Sequence, residues 1–302
     1  MNRENYGFSF NNITINEESV FKKSKNSFGK IKINNEIEFY LYIINNNINF
    51  PIPKLLNYSD GELTIQYIKD SKTMTDIVTL INSEYFVNVI KTWLDSIHSI
   101  KTPIKKSILI NDVIIETYKK PLERFNEFEW RKNEIYNSIR SVNGIKIRNI
   151  FEYCEIIKSK TLDYLNQREH YNLIHGDVHL GNILINKNNE LYFIDPRGYF
   201  GESKLFGLCE YDYAKLMFGL SGYSKFDNMI INDLSIENNN ITIDFIKNYE
   251  NVFESETFDY LTRLLCLSIW LANNSCFLDI NKKITSIMVA YYYCEKYIKS
   301  SG

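Results

Sequence analysis

Apolar residues change their period near residue 70 of this chain. Before that point the pattern is short and alternating. Ile13 and Ile15 alternate with polar neighbours, Val20 to Lys23 form a second strand-like run, and Leu55-Leu56 and Leu63 to Ile68 flank an Asp60-Gly61 turn. One helix is expected among these strands, over Asn34 to Ile44, with Ile37, Leu41 and Ile44 on one face. From about residue 73 the three- and four-residue period takes over, most clearly at Phe86, Val89, Ile90, Trp93, Leu94 and Ile97. Further helices are expected over Leu122 to Ile139, Ile156 to Leu165, Tyr211 to Leu220, Phe258 to Ala272 and Ile284 to Ile298. Strand-like alternation on both sides of Asn238-Asn239-Asn240 predicts a hairpin within Asn228 to Ile243. The reading is an α+β chain with a small β-rich N-terminal lobe, residues 1–68, and a larger helical C-terminal lobe, residues 69–302. Tyr67-Ile68-Lys69-Asp70 would connect them.

Composition narrows the class without changing that picture. At 302 residues, 44% hydrophobic and 24% charged, the chain can bury a large core and has no disordered signature. Net charge is −2, and no dense Lys/Arg stripe carries interleaved aromatics, so general nucleic-acid binding is not expected. Five cysteines, at 154, 209, 266, 276 and 294, form no C-x-x-C pair, and four histidines complete no zinc spacing with them, which points to a reducing cytoplasm. The N-terminus has no continuous apolar stretch of the secretory type, and the longest greasy run, Leu264 to Ala272, is too short to span a bilayer.

The chemistry concentrates in Leu173 to Leu184, L-I-H-G-D-V-H-L-G-N-I-L. A kinase catalytic loop needs an aspartate beside the acceptor hydroxyl and, about one and a half helical turns on, an asparagine for magnesium. Asp177 and Asn182 have that offset, and His175 stands two residues before the aspartate, with Gly176 where protein kinases have arginine. A second metal carboxylate should end a nearby hairpin. Apolar Ile183 to Ile185, turn-like Lys187 to Glu190 and apolar Leu191 to Ile194 lead to Asp195. On the nucleotide side, Lys22 shares a strand face with Val20 and is the candidate phosphate lysine, although a one-residue register slip would exchange it with Lys23. Glu36, early in the following helix, would hold that lysine, while Glu38 would face elsewhere. No G-x-G-x-x-G is present. Gly7 and Gly29 are isolated, and either the Asn11-Asn12 turn or Ser27-Phe28-Gly29-Lys30 would cover the phosphates. Backbone at Tyr67 and Ile68 would meet the purine, with ATP and GTP not distinguished.

The segments H-G-D-V-H-L-G-N-I-L and F-I-D-P-R-G resemble the aminoglycoside phosphotransferase and choline kinase group, small-molecule kinases of protein-kinase-like fold. His175, Gly176, Asp177, His179 and Asn182 match that group's H-G-D-x-H-x-x-N loop, and E-Y-D-Y-A-K-L around Asp212 is similar to its Asp-Leu-Ala segment. The resemblance implies a bilobal kinase-like fold and transfer of the γ-phosphate of ATP, with Mg2+ on Asn182 and Asp195. It implies a small-molecule hydroxyl acceptor beside Asp177, with His175 fixing the loop. Where the group often has Asp-Trp or Asp-Phe, this chain has Asp195-Pro196-Arg197-Gly198, a form similar to relatives encoded with bacterial surface-polysaccharide genes. Arg197 is a candidate for a phosphate or anionic acceptor, with an ion pair to a nearby acid as the alternative. A sugar, an amino alcohol or a polysaccharide precursor is expected as acceptor. An aminoglycoside antibiotic is one alternative, and a nucleotide-binding pseudokinase scaffold is another. Residues 196–302 hold 13 Asp/Glu against 10 Lys/Arg, too small an excess to select a polycation.

Overall fold

The computed structural model describes residues 10–79 and 82–298. The chain divides into two compact units, Met1–Pro103 with His170–Gly219, and Ile104–Glu169 with Leu220–Gly302.

The first unit begins with strands β1 (Asn11–Ile15) and β2 (Ser19–Ser24), then helix α1 (Ser27–Asn45), then β3 (Leu55–Ser59) and β4 (Glu62–Gln66). They form one antiparallel sheet in the order β1-β2-β4-β3. Lys22 lies opposite Ile13 and Leu63, and Val20 opposite Ile15 and Ile65, so these six side chains share one face. On that face Leu63 and Ile65 pack with Ile33, Ile37 and Tyr40 of α1. Each such aliphatic contributes roughly 2 kcal/mol of gross transfer free energy, and the cluster fixes the register that turns Lys22 inward. The Asp60-Gly61 turn is as expected. Gly61 has φ +82°, and Asn34 of α1 spans the turn, donating to Asp60 and accepting from the Gly61 N–H.

Helix α1 starts seven residues before the expected Asn34. Asn26 caps it by accepting from the Gly29 N–H at 2.8 Å, a signal independent of apolar period. Its buried face is also rotated from the expected one: Ile33, Ile37 and Tyr40 are buried, whereas Ile44 is 47% exposed. Helix α2 (Ser83–His98) buries Val87, Ile90, Leu94 and Ile97, as its period predicts. The rest of this unit is short strands and one helix. Strand His170–Leu173 pairs with Lys101–Pro103 and Phe206–Gly207, the hairpin Ile183–Ile185 with Leu191–Phe193 also pairs with Lys72–Thr73, and helix Cys209–Phe218 follows.

The second unit is mainly helical, built on Lys106–Ile114, Ile150–Tyr164, Tyr260–Leu271 and Ile280–Tyr297. The continuous helix expected over Leu122 to Ile139 is broken. Helix Lys120–Asn126 ends, a turn follows at Trp130–Lys132, and Glu134–Ser138 is a separate short helix capped by Asn133. The break lets Trp130, 2% exposed, sit among the rings of Phe125, Phe128 and Tyr136, which a straight helix could not bring to one point. The Asn-rich segment does form a hairpin, shorter than its alternation suggests: Ile236–Glu237 pairs with Asn240–Ile241 around left-handed Asn238 and Asn239. Among the described residues no helix is long and apolar enough to cross a membrane, and the five cysteines are free thiols.

Candidate functional site

Asp212, fully buried in the helix Cys209–Phe218, builds the loop that carries Asp177. One of its oxygens accepts the Gly176 N–H at 2.6 Å, the other accepts the His175 N–H at 2.9 Å, and the Nε2 of His98 lies 3.0 Å from the second. A carboxylate is well suited to this, because two buried backbone donors in sequence would otherwise be unsatisfied. Gly176 has φ +82°, and a Cβ there would meet Arg197, Tyr199 and Gly198 at 3.2–3.4 Å. The arginine of protein kinases has no place at such a position.

His175 is buried, with its ring edge-on to Phe39 and Phe193. Burial holds its pKa below the usual value, so the ring is neutral at pH 7, and its Nδ1 faces the Asp177 N–H at 3.3 Å. His179 accepts from the Gly181 N–H at 3.1 Å and thereby caps the short turn leading to Asn182. Asn182 donates from Nδ2 to the Asp177 carbonyl at 3.0 Å, which leaves its amide oxygen as the atom suited to a hard cation.

Asp195 follows the strand Leu191–Phe193 with φ +57°, a left-handed conformation that Asp tolerates better than most residues. Its carboxylate pairs with Lys22, which is 5% exposed and also bonds Glu36 at 2.7 Å. Lys23, on the opposite sheet face, is exposed and pairs with Glu62, and Glu38 pairs with Lys204, so the inward pair is Lys22 and Glu36. Burial acts against charge on all three groups. For Lys22 the two neighbouring carboxylates outweigh it and hold the ammonium well above its usual pKa. For Asp195 the lysine outweighs it and the carboxyl is depressed. One lysine cannot neutralise two carboxylates, and the burial of Glu36 with the Asp195 charge pushes Glu36 up to about 7 despite its bond to Lys22.

Two residues without an expected role complete the site. Lys215, one turn beyond Asp212, places its Nζ 2.8 Å from Asp177 Oδ1. Burial would raise the Asp177 pKa, but the charge of Lys215, aided by the neighbouring His179 ring, outweighs it and holds that carboxyl far below the usual range. Tyr211 accepts from Arg197 Nη1 at 2.6 Å, and the guanidinium lies over the Tyr199 ring at 3.8 Å. The signal for Lys215 was its place three residues after Asp212, on the helix face that meets the loop.

The two candidate loops over the phosphates take different forms. Asn11 and Asn12 open strand β1, and Ser27 to Lys30 is the capped first turn of α1. Gly7 lies outside the described residues. At the connector, the Tyr67 N–H is taken by the Glu18 carbonyl at 2.9 Å, and Ile68 is buried. Among the described residues no three His, Cys, Asp or Glu side chains converge as a metal cage. Asn182 and Asp195 could offer oxygen donors to magnesium, a cation that takes few protein ligands because it keeps waters and substrate phosphates as the others.

No protein-family model matches the chain, and no curated protein matches it in sequence. Solved structures do match in fold. An ADP-bound aminoglycoside phosphotransferase, APH(2'')-Ib, is 16% identical, with 96% of this chain and 92% of that one covered and a TM-score of 0.54. A choline/ethanolamine kinase family protein from Mesorhizobium loti is 10% identical, with 97% and 87% covered and a TM-score of 0.51. The choline kinase LicA from Streptococcus pneumoniae is 14% identical, with 96% and 91% covered and a TM-score of 0.50. The chain thus has the α+β protein-kinase-like fold of these small-molecule kinases, and its resemblance to the aminoglycoside phosphotransferase and choline kinase group extends over most of its length.

Proposed function

We propose that this protein transfers the γ-phosphate of ATP to a hydroxyl of a small molecule. The observation that carries the reading is the gathering, within one compact unit, of the Lys22–Glu36 pair, Asp195, Asn182 and Asp177 from segments more than 140 residues apart in sequence. Residues 1–68 would bind nucleotide, with the Tyr67 carbonyl and Ile68 amide meeting the base, and residues 69–302 would supply catalysis and the acceptor site. Lys22 would hold phosphates once it exchanges Asp195 for them, with Glu36 keeping it in place. Asn182 and Asp195 would hold Mg2+, which when bound neutralises charge on the phosphates. Asp177 orients the acceptor hydroxyl and takes its proton late, since its depressed pKa makes it a weak base and a loose transfer needs no strong one. His175, neutral and buried, holds the loop. Arg197 is proposed to face the phosphate or an anionic part of the acceptor.

The test is ADP release by the purified protein with Mg-ATP over aminoglycosides, choline, ethanolamine, amino acids and free or nucleotide-linked sugars. Asp177→Ala and Asp195→Ala should each lower turnover by at least about 10²-fold while the protein still unfolds in one cooperative transition. Full activity in either variant would sink the assignment. Mg-ATP binding with no ADP from any acceptor would favour a pseudokinase scaffold instead.

A further inference from the structure

A phosphoryl group in flight spreads negative charge over its non-bridging oxygens, and most of the catalytic effect lies in meeting that charge with fixed cations. The acids of this site are each held by a lysine: Asp195 and Glu36 by Lys22, and Asp177 by Lys215. Lys22 lies on the Asp195 side of the site, Arg197 is held by the Tyr211 hydroxyl and over the Tyr199 ring, and between Asp177 and Asn182 the loop reads Val-His-Leu-Gly, with no lysine or arginine.

The structure supplies a cation at that point from a different element. Lys215 rises from the helix Cys209–Phe218 to lie 2.8 Å from Asp177, its side chain 15% exposed and its Nζ 5.8 Å from the centre of the Tyr211 ring. The helix that supplies it also carries Asp212, which grips the two backbone N–H groups just before Asp177. Loop and cation are therefore set by one rigid element, and their spacing cannot drift independently. An ammonium has three donors, and its ion pair with the carboxylate does not exhaust them. Asp177 Oδ1 faces Lys215, whereas its Oδ2 has only a 3.4 Å approach from Asn182 Nδ2 and is the oxygen suited to an acceptor hydroxyl.

We propose that Lys215 is a catalytic residue that binds the transferring phosphoryl group, the helix providing the cation that the loop lacks. This rests on the phosphotransferase reading above. The acceptor oxygen forms its bond to the γ-phosphorus as the bond to the β,γ-bridging oxygen breaks, and ADP leaves with that electron pair. The hydroxyl proton passes to Asp177. Lys215 stays protonated throughout and donates to the non-bridging oxygens, while its contact with Asp177 aligns base and phosphoryl group.

The test compares wild type with Lys215→Met, Lys215→Gln and Lys215→Arg, using Mg-ADP with and without aluminium fluoride, a mimic of the phosphoryl group in transfer. Mg-ADP alone should raise the unfolding temperature of all four proteins equally. Aluminium fluoride should add a further rise in wild type and Lys215→Arg, and none in the Met and Gln variants. With any acceptor that supports ADP release, Lys215→Met should lose about 10²-fold or more in kcat, as expected for a lost donor to transition-state charge, with KM for ATP unchanged and partial recovery in Lys215→Arg. An equal aluminium fluoride effect in Lys215→Met and wild type, or none in wild type, overturns the role of Lys215 and leaves the nucleotide reading standing. So does a loss that falls entirely on KM. If wild type shows neither Mg-ADP stabilisation nor ADP release, it is the phosphotransferase reading that fails, and the role of Lys215 fails with it.

Discussion

Asp212 touches no expected reactant, yet the position of Asp177 depends on it. Its two oxygens satisfy the N–H groups of His175 and Gly176 in a buried setting. Removing them strands both donors, each at about 1–3 kcal/mol, so Asp212→Ala should lower unfolding free energy by about 3 kcal/mol and abolish turnover. Asp212→Asn keeps one acceptor and should lose less than half as much. Urea denaturation measures both, and a loss under about 1 kcal/mol for Asp212→Ala would mean that water replaces the carboxylate. At this scale the placement of candidate residues is legible where their contacts are local. Asp177, Asn182 and Asp195 sit within one loop and hairpin, so spacing alone suggests their neighbourhood. Lys215 lies 38 positions beyond Asp177, and only the fold shows that they meet. Lys22 was separated from Lys23 by sheet register, which depends on how Leu63 and Ile65 pack against α1.

Elements were clearest where a single period ran unbroken. Helix α2 keeps its apolar stripe for four turns and was read directly. The helix expected over Leu122 to Ile139 was not, because its aromatics gather around Trp130 and favour a turn over continued helix. A second hairpin went unread although Val142-Asn143-Gly144-Ile145 carries a strong turn signal. Asn143 and Gly144 are both left-handed there, with φ +48° and +80°. The strand Ser141–Val142 runs parallel to Asn240–Ile241, joining both hairpins into one four-stranded sheet. Asn143 ties them by donating to the Ile243 carbonyl and accepting from the Ile243 N–H, at 3.0 and 2.8 Å. Asn143→Ala loses both bonds and places a Cβ-bearing residue without polar compensation in the left-handed region. About 1 kcal/mol for each bond and about 1 for the backbone give a destabilisation of about 3 kcal/mol. Asn143→Gly should lose only the bonds. Equal midpoints for the two variants in urea would show that backbone conformation contributes nothing here.

For the molecule as a whole, pH is the variable on which the titratable groups of the site act together. Asp177 and Asp195 have depressed pKa values, so the stability they add is present above the ordinary carboxylate range and is lost as pH falls through their folded values. His175 is also depressed, by burial. The unfolded chain takes up its proton first, and stability falls as pH drops below about 6.5, the ordinary histidine value. Glu36 acts in the opposite sense. Its folded pKa of about 7 lies above the ordinary 4.5, so the native state keeps a proton that the unfolded chain has released, and its contribution declines as pH rises from 4.5 to 7. Over that window His175 and Glu36 act in opposite senses. Glu36→Gln removes one side of the balance. Its stability relative to wild type should therefore climb with pH between about 5 and 7, by at most about 1.4 kcal/mol per pH unit, and level off above. Urea midpoints at several pH values in that range give the difference directly. A constant offset between the two proteins would mean that Glu36 titrates as an ordinary carboxyl, and that Lys22 alone sustains the charges of both Glu36 and Asp195.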